Sequence, residues 1–263
     1  MARRQQGDWQ GDNPVLIDDE FAFVLHARLW RETSLLLELL TKSYGRIGLV
    51  ARGVQSGKNQ SKRAALQPLQ WICFSAVMRS EMAVLRQVEA LDAAPRLDGM
   101  ALFAGFYLNE LTLSLTVRDV PSEDCYTAYG RARLRLAERA TSLAWTLRCF
   151  ERDLLDALGV GFDLRSDTEG HSIEASAAYW LNPVAGPQRC NADPPSALGL
   201  LHSQQPRVSG EALLALMHDQ QPTSAALVSS LRAPMRAVIQ HHLGGKTLKS
   251  WEMITAFPRS SPR

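Results

Sequence analysis

Hydrophobic periodicity changes once along this 263-residue chain, near Pro95, and that single change dictates two differently built parts. Before it, short apolar runs alternate with polar residues in the two-residue rhythm of strands; after it, apolar residues recur every three or four positions, as on helices. Five strand-type segments fall between Glu20 and Ala90: Phe21 to Trp30, Ser34 to Lys42, Arg46 to Gly53, Leu69 to Met78, and Glu81 to Val88. Tyr44-Gly45 and Arg79-Ser80 supply tight turns, and the link from Gly53 to Ala65 reads as a polar, flexible loop. Five strands in so short a stretch suit a closed barrel, because closure leaves no unpaired edge.

The helical part opens with the apolar stretch Leu97 to Thr116, fit for the centre of a bundle. Ser122 caps a second helix, and Leu143, Leu147, Phe150, Leu154 and Leu158 stripe a third that stops at Gly159. Five prolines between residues 160 and 206 forbid a long helix there, while Tyr179 to Val184 reads as a short strand turning at Ala185-Gly186. Helical patterns return at Gly210 to His218, Thr223 to Ser229 and Pro234 to Leu243, and a last one runs from about Thr247 to Phe257. The class is α+β and mostly α. The organisation expected is a disordered leader over 1–19, a barrel domain over 20–92, a helical domain with an irregular β-containing insert over 93–258, and a flexible tail over 259–263.

Charge is distributed unevenly. From Thr41 to Ser80 there are seven basic residues and no Asp or Glu, whereas the whole chain balances 29 Lys and Arg against 27 Asp and Glu. Such a bias concentrates positive potential on one module of a mildly acidic body and points to a polyanion. A lysine-protected sheet edge is the plainer explanation of the same residues.

Other chemistry is poorly supported. Gly244-Gly245-Lys246-Thr247 ends like a phosphate-binding loop, but Gln240 stands where the motif needs glycine and a helix, not a strand, precedes it, so a helix stop accounts for it. His241 and His242 are adjacent and do not share a helix face. Asn109-Glu110, out of place inside an apolar helix, reads as a pair satisfied at an inter-domain contact in preference to a catalytic one. Cys73, Cys125, Cys149 and Cys190 are scattered, which favours buried thiols over disulfides or zinc. No apolar run reaches the roughly 20 residues that span a bilayer, and the first residues lack a secretory core, so a cytoplasmic protein is expected. Arg131, Arg135 and Arg139 stripe one helix as a solvated face. Arg148, beside the Leu147 and Phe150 stripe with Arg152 on the same side, either pairs with Glu151 or Asp156 or receives an acidic peptide ending in a hydrophobic residue.

Several stretches together resemble the bacterial DNA repair protein RecO family: AFVLHARLWRETSLLLELLTKSYGRIGLVARGV, ALQPLQ, LFAGFYLNEL, LRCFERDLLDALGVGFDL and HLGGKTLKS, in that order from about Ala22 to Phe257. The resemblance implies an N-terminal OB-fold barrel and a helical domain. It also implies a non-enzymatic recombination mediator that binds single- and double-stranded DNA, anneals complementary strands and, with RecR, promotes RecA loading on strands coated by single-stranded DNA-binding protein. Carried over by position, Lys42, Arg46, Arg52, Lys58, Lys62, Arg63 and Arg79 of the barrel region, with Lys246 and Lys249, would track DNA phosphates. Leu147, Arg148, Phe150 and Arg152 would receive the acidic tail of single-stranded DNA-binding protein. Where some relatives hold zinc with four Cys after the segment matching LGVGFDL, this chain reads RSDTEGHS, so neither zinc nor another cofactor is expected. Trp30, Tyr44, Trp71 and Phe74 either stack on bases or fill the barrel. The rival functions are a protein-interaction adaptor touching DNA incidentally and, less fittingly, a metal-dependent nuclease.

Overall fold

The computed structural model describes residues 14–55, 59–78, 82–138, 141–190 and 206–256, with side chains as far as residue 253. The chain divides into two compact units: residues 1–96 with 116–126, and residues 97–115 with 127–263.

The first unit is a closed barrel of β1 (Val15–Trp30), β2 (Ser34–Thr41), β3 (Gly45–Ala51), β4 (Trp71–Met78) and β5 (Met82–Ala90). Its strand order is β1-β2-β3-β5-β4, with every pair antiparallel except β3 with β5. This is the OB-fold barrel that the resemblance implied. Alternation does the sorting: Leu35, Leu37 and Leu39 of β2 and Ile47, Leu49 and Ala51 of β3 point inward and pack with Ile17, Val24, Ile72 and Phe74. β1 begins at Val15, earlier than the expected leader boundary, and bulges between Val24 and His26 let one long strand curve along both neighbours.

Two features depart from the expected barrel. The link after β3 contains a short helix, α1 (Gln60–Ala65), anchored through buried Ala65 and Leu66. Residues 116–126 also belong to this unit: Asp119 N–H donates to the Arg46 carbonyl at 3.0 Å, and Arg118 bridges Arg46 in parallel. The approach is tight at Gly45, where φ is +69° and a Cβ would sit 2.1 Å from the Val120 carbonyl oxygen, so only glycine closes the β2–β3 turn here. Thr41 completes that turn, its hydroxyl donating to the Gly45 carbonyl and accepting from Tyr44 N–H, both at 2.9 Å.

The second unit holds α2 (Gly99–Leu115), most of α3 (Glu123–Glu138), α4 (Leu143–Ala157), α5 (Gly210–Met217), α6 (Ala225–Ser230), α7 (Arg232–His242) and α8 (Lys249–Ala256). It also contains a three-stranded antiparallel sheet of β6 (Ala178–Asn182), β7 (Gly186–Arg189) and β8 (Arg207–Ser209), with β6 central. Serine caps start the helices as their side chains dictate: Ser142 accepts from Trp145 N–H and Ser209 from Ala212 N–H. Trp145, Cys149, Tyr179, Leu213, Met235 and Val238 meet in its core. None of the described helices is long and apolar enough to cross a membrane.

Asn109 and Glu110 are satisfied inside this helical unit, not at an inter-domain contact. Asn109 accepts from the buried Tyr129 hydroxyl at 2.5 Å, and Glu110 accepts from the backbone N–H groups of Lys249 and Ser250, both at 2.8 Å, capping α8. The segment RSDTEGHS is organised by Asp167, whose carboxylate accepts from Glu169 N–H at 3.0 Å and His171 N–H at 2.9 Å. Gly244 and Gly245, at φ +61° and +86°, simply end α7.

Candidate functional site

The barrel cations do not form one uniform patch. Arg46 projects from the outer face of β3, yet its guanidinium reaches Glu38 of β2 at 3.0 Å and the Thr116 carbonyl at 3.0 Å, which leaves its side chain 16% exposed. Arg118 shares Glu38. Arg46 therefore serves to pin residues 116–126 against the barrel. Lys42 is exposed but lies 3.2 Å from Glu123. Arg52, Lys62 and Arg63 are exposed and make no ion pair among the described residues, with Lys62 and Arg63 both on α1. Lys58 and Arg79 lie outside the described residues. Lys246 and Lys249 are exposed and belong to the helical unit.

Of the four aromatics left open by sequence, three are committed to the barrel's own packing. Phe74 is 1% exposed in the core, Tyr44 packs against that core, and Trp71 stacks on Phe23 while its indole N–H donates to Tyr126 at 2.8 Å. Trp30 is 40% exposed at the end of β1. It borders an open cleft lined by Arg31, Glu32, Thr33, Ser34, Val50, Arg52 and Gly53, all in the barrel unit.

The helical unit contains a pocket of about 270 Å³, lined chiefly by Met100, Ala104, Tyr107, Leu147, Val228 and Trp251, with Arg148, Arg232, Arg236 and Glu151 as its charged members. Its size falls near the lower end of ligand sites, roughly 300 Å³, which suits the end of a peptide. Glu151 is fully buried; its Oε1 accepts from the Tyr107 hydroxyl at 2.6 Å and from Arg148. Burial pushes the Glu151 carboxyl above its ordinary range, against the opposing pull of the Arg148 charge and the Tyr107 hydrogen bond. The Arg148 charge is thus largely answered from within. Arg232 is exposed, and Arg236, half-buried, lies 4.3 Å from the Trp251 ring centroid, so α7 supplies the pocket's other two cations.

Only two of the four residues expected to receive a peptide sit at this pocket. Leu147 and Arg148 line it, whereas Phe150 is 1% exposed and packs edge-on against Tyr129. Arg152 is held by Asp153, the Leu216 carbonyl and Asp219. The buried face of α4 is broader than the expected stripe, taking in Trp145, Arg148, Cys149 and Glu151 with Phe150 and Leu154. Arg131 and Arg135 likewise pair with Asp153 and Asp219, and Arg139 lies outside the described residues.

The two parts correspond to two family models: recombination protein O N terminal matches residues 19–94, and recombination protein O C terminal matches residues 96–252. The chain is 54% identical over 243 residues to the DNA repair protein RecO of Xylella fastidiosa strain M12, spanning 92% of this chain and 97% of the relative. It is 55% identical over 240 residues to that of Stenotrophomonas maltophilia strain K279a, with 91% and 97% covered. With that of Xanthomonas campestris pv. campestris strain B100 the identity is 50% over 245 residues, with 93% and 99% covered. The chain belongs to the RecO family. Its role is in DNA repair and recombination. The boundary between the two RecO models falls at Pro95, where the periodicity changes, although residues 116–126 return to the barrel unit. The pocket residues Arg232, Arg236 and Trp251, which the RecO resemblance alone did not single out, come from helices far along the chain; the only local signal was the i, i+4 spacing of the two arginines on α7.

Proposed function

We propose that this RecO-family protein is a non-enzymatic mediator that binds single- and double-stranded DNA through its barrel and anneals complementary strands. With RecR it then promotes RecA loading on strands coated by single-stranded DNA-binding protein. The observation that carries the reading is the set of exposed cations without ion-pair partners among the described residues, Arg52, Lys62 and Arg63, on an OB-fold barrel. Such cations displace counterions from phosphates and lower the repulsion between two strands, so annealing needs no nucleotide hydrolysis. Lys42 joins them by exchanging Glu123 for a phosphate.

The pocket of the helical unit supports docking of the acidic C-terminal tail of single-stranded DNA-binding protein. An apolar terminal side chain would fill the cavity beside Leu147 and Trp251, and carboxylates would meet Arg232 and Arg236. The test is strand annealing on DNA coated with intact or tail-deleted binding protein. Annealing of the intact-coated strands and its loss with the tailless coat support the reading; equal rates on both remove the pocket from it, and failure to anneal even naked strands removes the mediator function.

A further inference from the structure

The outer face of the barrel carries an ordered row of side chains. On β1, His26, Arg28 and Trp30 follow at two-residue spacing and therefore share a face. Register sets Arg28 opposite Leu36 and Trp30 opposite Ser34 on β2, and Leu36 in turn opposite Val50 on β3, with Arg52 two residues further on. The row thus runs from Arg28 through Trp30 across to Val50 and Arg52. These last three line the open cleft at the β1–β2 turn, together with Arg31, whose φ of +56° turns the chain there.

An indole at this place is unusual in energetic terms. Trp30 leaves 40% of its surface in water, Leu29 beside it leaves 69%, and the Arg28 guanidinium sits 5.7 Å from the indole centroid. Large apolar surface ringed by cations is poorly used by the fold itself. Arg31 and Arg52 line the cleft with one carboxylate, Glu32, and Arg28 stands beside the indole, so the cleft favours an anion that also carries a flat apolar face.

We propose that Trp30 is a nucleobase-stacking site: an unpaired base of a bound single strand lies on the indole, and its flanking phosphates meet Arg31 and Arg52. The assignment rests on the barrel being the DNA-binding part and adds what phosphate contacts cannot supply, a preference for strands whose bases are accessible. A base within a duplex keeps its faces against its neighbours and has none to offer.

The test uses the full-length protein with Trp30→Ala and Trp30→Phe, a thymidine oligomer, an abasic oligomer of equal length, and a duplex. Stacking predicts that Trp30→Ala weakens thymidine-oligomer binding roughly tenfold, with Trp30→Phe intermediate, at every salt concentration. The salt slope stays unchanged because no charge is lost. Duplex and abasic-oligomer affinities stay unchanged too, and these also report that the variants are folded. An unchanged thymidine-oligomer affinity, or an equal loss on duplex and abasic strands, overturns the proposal. If the unmodified protein binds none of the three, with no salt slope, the DNA-binding reading falls first; a salt slope with an indifferent Trp30 removes only the stacking site.

Discussion

Arginine does opposite work in the two units. In the helical unit Arg131, Arg135 and Arg152 are tied to Asp153, Asp219 and the Leu216 carbonyl, and Arg148 to Glu151. In the barrel unit Arg52 and Arg63, with Lys62, stand exposed without ion-pair partners among the described residues, while Arg46 and Arg118, both paired with Glu38, behave like their helical counterparts. Counting basic residues does not separate these groups; their partners do. A paired, part-buried guanidinium holds elements together, and its loss leaves an uncompensated carboxylate. An exposed one contributes almost nothing to folding and is available to a ligand.

The sharpest way to break this contrast is Arg152→Ala. Its side chain is only 14% exposed and joins α4 to the end of α5, so its removal should cost about 3 kcal/mol of stability. Chemical denaturation measures the loss, and DNA affinity of the folded fraction should not move. Unchanged stability would mean that the helical arginines are as dispensable as the exposed ones.

The converse is charge reversal of Arg52, Lys62 and Arg63 together. Single-stranded DNA affinity should fall about 10- to 100-fold, and the slope of log affinity against log salt should become shallower by about 2, at roughly 0.7 per contact. Denaturation midpoints should hold within about 0.5 kcal/mol. A large stability loss with an unchanged slope would reverse the roles assigned to the two groups.

Arg236→Ala tests the place where the helical unit departs from its own rule. With Arg148 answered by Glu151, an acidic peptide should depend on Arg236, losing roughly tenfold in affinity by fluorescence anisotropy. Arg131→Ala, whose guanidinium already holds Asp153, should leave peptide binding untouched.

Much of this architecture was legible because it is local. Two-residue alternation placed all five strands, Ser122 begins its helix, and Gly159 and Gly244-Gly245 end theirs. What stayed hidden depends on partners distant in sequence. Arg46 looked like a phosphate contact because its ties are to Glu38 across a hairpin and to Thr116, 70 residues on. Helix α1 spans only six residues, too few for a 3.6-residue period to emerge from a polar link. The pocket gathers Met100, Leu147, Arg236 and Trp251 from four helices, and only their packing discloses it.

The smallest expected effect distinguishes structural from available charge by pH. Burial raises the Asp219 carboxyl, but hydrogen bonds from Arg135 and Cys149 and the charges of Arg135 and Arg152 outweigh it and hold the group below its ordinary 3.8. A depressed folded value means that the unfolded chain binds this proton more readily, so the stabilisation is complete above the unfolded carboxylate range and is lost as pH falls through the folded one. Asp219→Asn should therefore destabilise the protein by about 1 kcal/mol at pH 7. The gap from the unmodified protein should narrow below about pH 4. Glu151, raised by burial, responds in the opposite sense, gaining relative stability in acid, but it is present in both proteins and cancels in the difference. A gap that stays constant from pH 7 to pH 3 would show that Asp219 contributes shape and not charge, and the network around Arg135 and Arg152 would then lose its electrostatic explanation.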